Sequence, residues 1–385
     1  MMRIAYVTTD PGIPVWGAKG ASVHVQEMLR AVTAAGHSVT VLSPRLEGTP
    51  PADLAQVAML ALPPAPKGAP EARAKGLLAA NADVCAALDT LSPDIVYERH
   101  ALYAHGATEW ARAQGVPSVL EVNAPLAAEA AAHRTLALAA EADSSAQRAM
   151  SAATLVSAVS EPVADHARQM GAQYVTVEPN AVDPARFPAP APLAADPFTV
   201  GFLGSLKPWH GMPLLIDAFA LLRASVPDAR LLIVGDGPER ADIERRLAAA
   251  GCADAAEITG LVPAAEVPAH LARMDAGCAP YGESEAFYFS PLKVYEYMAA
   301  GVPVVVTRVG HLPGIVSEGL TGLVGPAGDP QALADRLAQL AADAKLRRTL
   351  GADGRDAVLG TRTWAGVAAR VLGRAMAAAP DRVVA

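Results

Sequence analysis

Two hydrophobic patterns alternate along this chain. Short, mostly apolar runs rich in β-branched residues, such as Ile4-Ala5-Tyr6-Val7 and Val39-Thr40-Val41-Leu42, read as strands. Between these two lies 22–35, where Val25, Leu29 and Val32 recur at helical spacing until Gly36 closes the helix. Further strands are predicted at 57–62, 94–97, 118–122, 154–159 and 174–177, with helices between most of them. This alternation predicts a parallel sheet with helices on both faces.

A proline-rich passage then interrupts the pattern: Pro184, Pro188, Pro190, Pro192 and Pro197 suit neither a sheet nor a helix interior, so 184–197 reads as a linker. The alternation restarts with strands at 199–203, 230–234 and 304–307 and helices at 212–224 and 239–250. The tail, 331–379, is alanine-rich and almost wholly helical. The α/β class expected is two doubly wound, Rossmann-like domains, 1–183 and 198–362, with a C-terminal helix in 363–385. Ligands of such folds sit beyond the carboxyl ends of the strands, so the cleft between the halves is the expected site.

Composition narrows the classes. A chain of 385 residues, 52% hydrophobic and 18% charged, can bury two cores and is not disordered. A formal charge of −8 argues against a nucleic-acid partner. The three cysteines, Cys85, Cys252 and Cys278, are far apart, which indicates neither a disulfide framework nor a zinc site and fits a reducing cytoplasm. The chain enters a strand-like run at Arg3 without a signal-peptide pattern, and no apolar run is long enough to span a bilayer. A cytoplasmic protein is expected, with peripheral membrane contact left open.

Four loops carry candidate chemistry. In 287–303, Ser290 and Pro291 end an irregular segment before a helix at 292–300, which Gly301 stops. The N–H groups around Ser290, Pro291, Leu292 and Lys293 at that helix start suit a phosphate, and Glu296 one turn on could accept bonds from ribose hydroxyls. An ordinary helix with Lys293 and Glu296 on a solvated face is the competing reading. Gly17 and Gly20 lie in the loop after the first strand, where a backbone can approach a phosphate or sugar closely. That loop is neither a dinucleotide fingerprint nor a P-loop.

Gly204-Ser205-Leu206-Lys207-Pro208-Trp209-His210-Gly211 repeats the arrangement in the second half, with Lys207 and His210 as candidates to face an anion. A surface lysine and a structural histidine are the alternative. The turn Gly235-Asp236-Gly237 ends another strand and could border a nucleotide base. In the first half, Glu121-Val122-Asn123 ends a strand where a catalytic group is expected, against a purely structural Glu or Asn. Nearby lie His100, His105, Glu109 and Glu129, and no Asp-x-Asp pair offers ligands for a metal-bridged diphosphate.

Taken together, Gly17-Ala18-Lys19-Gly20 with its helix, Glu178-Pro179-Asn180-Ala181-Val182-Asp183, 204–211, 234–238 and 290–303 resemble the family 4 retaining glycosyltransferases of the GT-B fold. These pieces span nearly the whole chain. The resemblance implies two facing Rossmann-like domains and a nucleotide-sugar donor held mainly by the second. It also implies transfer with retention of configuration, without a bound metal or other cofactor, and a C-terminal helix that crosses back to the first domain. Four positions depart from the family pattern. The first of two glutamates eight positions apart is Tyr288, the loop's usual Arg and Lys are Ser205 and His210, and a first-domain histidine is Asn123. Glu283 or Glu285 is a candidate to supply a carboxylate nearby.

The expected activity is transfer of a sugar from a nucleoside diphosphate to an acceptor hydroxyl. Lys207, His210 and Asn123 are the catalytic candidates. Gly17, Gly20, Ser205, Gly237, Ser290, Pro291, Leu292, Lys293 and Glu296 are the donor-binding ones. Two other readings stand beside it: a sugar-nucleotide epimerase or hydrolase on the same architecture, and a non-catalytic sugar-nucleotide-binding protein.

Overall fold

In the computed structural model, residues 1–133, 135–188, 197–282 and 287–378 are described. Pro190, Pro192, Glu283, Glu285 and the chain after Ala378 lie outside the described residues. The first half forms one sheet of seven parallel strands in the order β3-β2-β1-β4-β5-β6-β7. These are β1 (Arg3–Thr8), β2 (Ser38–Ser43), β3 (Ala58–Ala61), β4 (Ile95–Arg99), β5 (Ser118–Val122), β6 (Leu155–Ala158) and β7 (Val175–Val177). The second half forms a separate sheet of six parallel strands, ordered β10-β9-β8-β11-β12-β13. Here β8 is Thr199–Leu203, β9 Arg230–Val234, β10 Ala256–Ile258, β11 Ala276–Ala279, β12 Val304–Thr307 and β13 Gly322–Gly325. Both orders reverse beside the first strand of the half, at β1/β4 and β8/β11. The glycine-bearing loops follow β1 and β8, so each sits at a switch point.

Strands β10, β11 and β13 are absent from the hydrophobic reading, and their composition explains why. Ala276-Gly277-Cys278-Ala279 has no bulky residue because Tyr297 lies on it: a Cβ on Gly277 would come 2.6 Å from Tyr297 Cγ. The Tyr297 hydroxyl accepts the Leu203 N–H at 2.6 Å and donates to the Cys278 carbonyl at 3.3 Å, joining β8 to β11. Gly322 opens β13 for a similar reason, since a Cβ there would meet Val304 Cγ2 at 2.5 Å. Close packing rather than strand propensity selects these residues.

The tail is three helices, Pro330–Ala342, Ala344–Thr361 and Trp364–Ala378. Asp343 ends the first and caps the second, its Oδ1 accepting the Lys345 and Leu346 N–H groups at 2.9 Å each. On the last helix Trp364, Val367, Ala368, Val371, Leu372 and Ala375 form one apolar stripe, buried in the core of the first half. The chain thus leaves the second half and docks on the first. Arg370 secures the crossing with its Nη2 at 2.7 Å from Glu178 Oε2. The beginning of the proline-rich passage is packed and does not behave as a bare tether. Asp183 Oδ1 caps the turn at Pro184–Arg186 by accepting the Ala185 N–H at 2.9 Å, and Phe187 is buried in the second half.

Candidate functional site between the two halves

The first-half loop is tied to the helix that follows it, Gly20–Ala34. Gln26 Nε2 donates to the carbonyls of Val15 and Gly17, both at 2.9 Å. Gly17 is a close-packing position, where a Cβ would come 2.8 Å from Pro14 Cγ and Ser22 Oγ. At Gly20 a Cβ would meet nothing within 4 Å, so this helix start is open to an incoming group.

One turn into the helix stands His24. It meets Glu121, the last residue but one of β5, directly beside Arg99 of β4 in the sheet register. His24 Nε2 lies 3.0 Å from Glu121 Oε2, which also accepts the Tyr97 hydroxyl at 2.7 Å. Arg99 Nη1 and Asn123 Nδ2 both donate to Glu121 Oε1, the latter at 2.6 Å. Burial would push this carboxyl upward. His24 and Arg99 beside it, with the hydrogen bonds from His24 and Tyr97, instead hold it well below the usual carboxylate range. From the opposite side Trp364 of the crossing helix places its ring 4.5 Å from the His24 ring.

This cluster forms one wall of a cavity of about 220 Å³ between the halves. Gly20, His24, Arg99 and Asn123 line it from the first half, Ser290 and Leu292 from the second. Asn180 closes the seam, donating from its N–H to Ser290 Oγ at 3.0 Å and from Nδ2 to the Ser290 carbonyl at 2.7 Å. Ser160 Oγ bonds the Tyr288 carbonyl, and the Tyr288 hydroxyl donates to Glu129 Oε2 at 2.8 Å. Loop 287–290 is therefore stitched to the first half at three residues.

The second-half groups gather around Gly204, at φ +133°. A Cβ on Gly235 would come 2.0 Å from the Gly204 carbonyl oxygen, and one on Gly237 2.5 Å from that of Leu206. Gly237 thus serves the stacking of two strand-end loops. Into this corner the helix Leu292–Ala299 sends Lys293, whose Nζ lies 3.8 Å from the Phe202 ring centroid and 5.4 Å from that of Tyr281. Lys293 is 7% exposed, and its Nζ has no hydrogen-bond partner among the described residues. Burial, opposed by Glu296, lowers its pKa to about 7.

His210 Nδ1 meets the Ser205 carbonyl and its ring sits 5.8 Å from Tyr281. Burial, with Lys293 and Lys207 nearby, pushes His210 down to about 3, so at neutral pH it is an uncharged brace of the loop. Lys207 reaches outward, its Nζ 5.6 Å from the centroid of the exposed Trp209 ring. Glu296 is not on a solvated face: it is 7% exposed, with Oε1 3.7 Å from Arg186 Nη1. The same guanidinium bonds Glu27 Oε1 at 3.1 Å across the seam. Burial, opposed by Arg186 and reinforced by Glu27, raises Glu296 to about 7.

The sequence matches two family descriptions placed end to end: Glycosyltransferase Family 4 over residues 18–186 and Glycosyl transferases group 1 over 197–343. The chain belongs to the family 4 glycosyltransferases. This glycosyltransferase chain is 34% identical over 165 residues to a GDP-mannose-dependent alpha-(1-6)-phosphatidylinositol monomannoside mannosyltransferase of Mycolicibacterium smegmatis, covering 42% of the chain and 43% of that protein. It is 33% identical over 182 residues to a 2-deoxystreptamine glucosyltransferase of Streptomyces kanamyceticus, covering 44% and 46%. The chain thus spans under half the length of these curated relatives. Sucrose-phosphate synthase of Thermosynechococcus elongatus superposes with a TM-score of 0.76 at 20% identity, over 99% of this chain and 100% of that one. The Anabaena protein HepE in complex with UDP-glucose gives 0.72 at 18%, over 98% and 100%. Both likenesses establish the fold, two facing Rossmann-like domains of the GT-B type.

In this family 4 chain most of the sequence candidates fall into two groups, with Gly17 packed on Pro14 and Ser22 and Glu296 beside Arg186 outside both. Gly20, Asn123, Ser290 and Leu292 share the cavity, while Ser205, Lys207, His210, Gly237 and Lys293 share the corner at Gly204. Pro291 is the N-cap between them. Sequence reasoning did not select His24, Arg99, Arg186 or Glu27. A polar residue one turn inside the helix that follows a glycine loop, as His24 is, was the available signal.

Proposed function

We propose that this chain transfers a sugar from a nucleoside diphosphate donor to an acceptor hydroxyl, with retention of configuration and without a metal. The observation that carries the reading is Lys293. A buried ammonium without a hydrogen-bond partner among the described residues, beside a glycine loop at a topological switch point, is suited to a diphosphate. The usual cations of that loop are replaced by Ser205 and a neutral His210, and Lys293 enters from the facing helix to provide the charge instead. Lys207 adds a second charge from the outer side. Charge gathers on the departing diphosphate in the transition state, so a preorganised cation there lowers the barrier.

In the proposed reaction the anomeric carbon–oxygen bond to the diphosphate breaks as the acceptor oxygen bonds the same face, and the acceptor's proton leaves with the diphosphate. Glu296 would hold the ribose, and the His24–Glu121 wall would meet the sugar and acceptor. The name of the M. smegmatis relative, GDP-mannose-dependent, supports a nucleoside diphosphate sugar as donor class. Three free cysteines among the described residues, and no helix among them long and apolar enough to cross a membrane, are compatible with a cytoplasmic setting.

A thermal-shift screen with GDP, UDP and their sugars identifies the donor, because a ligand of the folded state raises the melting temperature. Product analysis by proton NMR, with and without EDTA, then reads the anomeric configuration and any metal requirement. Donor consumption without acceptor would favour the epimerase or hydrolase reading. Tight donor binding with no turnover over a broad acceptor panel would favour the binding protein.

A further inference from the structure

The first half holds a second cavity, of about 90 Å³, bounded by the ends of β1–β4 and the helix Pro70–Leu91. It lies on the sheet face opposite the His24–Glu121 cluster. Glu98 lines it, whereas the neighbouring residue Arg99 points the other way to Glu121. Most of the wall is carbon, from Leu62, the run Pro63-Pro64-Ala65-Pro66, Leu77, Ala80 and Val84, with Thr9, Asn81, Asp83 and Glu98 as its polar members. Pro66 rests on the backbone of Gly76, where a Cβ would come 2.1 Å from Pro66 Cγ. The proline run fixes its own backbone, so this wall is formed before any occupant arrives.

Of these polar residues Glu98 is the buried one, Asp83 being exposed and Thr9 and Asn81 half-buried. Glu98 is 1% exposed; its carboxyl accepts the backbone N–H of Thr108, in the first turn of the helix Gly106–Ala113. Its Oε2 has no hydrogen-bond partner among the described residues. Asn81, also on the wall, is already committed. Its Nδ2 donates to the carbonyls of Leu78 and Tyr103, and its Oδ1 accepts the N–H groups of His105 and Gly106. Glu98 therefore holds unmet hydrogen-bonding capacity in this space. One water needs only about 10–15 Å³ of such volume, so the cavity exceeds a single water several-fold, and the exposed Pro63 and Pro64 leave it open at the rim.

We propose that this cavity binds a small, largely apolar ligand that presents one hydroxyl to Glu98. A hydroxyl matches the one buried polar partner in a mostly apolar space. An ammonium would bring three donors and a full charge to the same buried acceptor, away from the exposed Asp83 carboxylate. Burial raises Glu98 to about 8, so at neutral pH it is an uncharged carboxyl, suited to a neutral alcohol. The site is separate from the transfer cavity and does not depend on the activity assigned to that cavity.

Cyclohexanol is the probe, with cyclohexylamine and methylcyclohexane as comparators, measured on the full chain by ligand-observed NMR. Cyclohexanol should bind saturably at about the millimolar level, and more tightly than either comparator. Ala80→Phe, which fills the cavity, should weaken it at least about tenfold, whereas Glu98→Gln, which keeps a polar partner, should keep it within about threefold. The circular-dichroism spectrum of each variant verifies that it is folded. No saturable cyclohexanol binding, binding indifferent to Ala80→Phe in a folded variant, or tighter binding of the amine would each overturn the proposal.

Discussion

Lys293 Nζ stands 3.8 Å from the centroid of the Phe202 ring, and a Cβ on Gly204 would lie only 3.2 Å from it. The aromatic face holds the ammonium by its quadrupole without using any of its hydrogen-bond donors. The glycine leaves the space through which an anion can reach them. Lys293→Met should keep the fold and lower turnover about 100-fold, the scale of losing one preorganised donor to a developing charge. Lys207→Ala, removing the outer charge, should cost about tenfold. Steady-state kinetics with the donor found by the screen distinguishes the two; full activity in both would refute the diphosphate assignment.

The depressed Lys293 also makes nucleotide binding a proton-linked event. At pH 8 the free protein holds this lysine mainly neutral, because its pKa is about 7. A bound diphosphate restores the charged form, so binding should take up close to one proton. Affinity for GDP or UDP should then fall about tenfold per pH unit above 7. In the free protein the sign is opposite. The unfolded chain binds this proton between about pH 7 and the ordinary lysine value, so stability from Lys293 rises with pH across that window. Calorimetry in buffers of different ionisation enthalpy measures the uptake, and Lys293→Met should abolish it.

Much of the frame was legible in the chain because buried parallel strands are apolar runs, and 199–203, 230–234 and 304–307 match the observed strands at both ends. Strands β11 and β13 were hidden because Tyr297 and Val304 demand glycine where a strand former would be expected. The location of Ser290 and Lys293 was readable, since a loop and the helix it opens lie together in sequence. His24 and Arg99 were not, because each acquires its meaning from Glu121, and only the β4–β5 register and the packing of the first helix bring them there. The Glu27–Arg186–Glu296 bridge joins three distant segments and could be seen only in the fold.

That bridge sets the expected behaviour of Glu296. Arg186 already has Glu27 at 3.1 Å and the Ala264 carbonyl at 2.8 Å, so Glu296→Gln leaves no uncompensated guanidinium. Stability should change little, while the bond to a ribose hydroxyl weakens. Donor KM should rise about tenfold, with kcat within about threefold. A large loss of folding stability with unchanged KM would make Glu296 a structural residue only.

The crossing helix gives a prediction that separates packing from chemistry. Trp364 is 3% exposed and lies against His24, which in turn holds Glu121. Trp364→Ala should cost the first half about 3–5 kcal/mol, the usual range for a buried aromatic. Hydrogen exchange at β1 and β4 amides reads that loss locally, which matters because two domains need not unfold together. Trp364→Phe restores most of the area and should recover stability. It should also recover turnover, provided that the ring's only service is to press His24 onto Glu121. If Trp364→Phe regains stability but not turnover, the indole itself faces the substrate, and the cavity extends beyond His24 to the crossing helix.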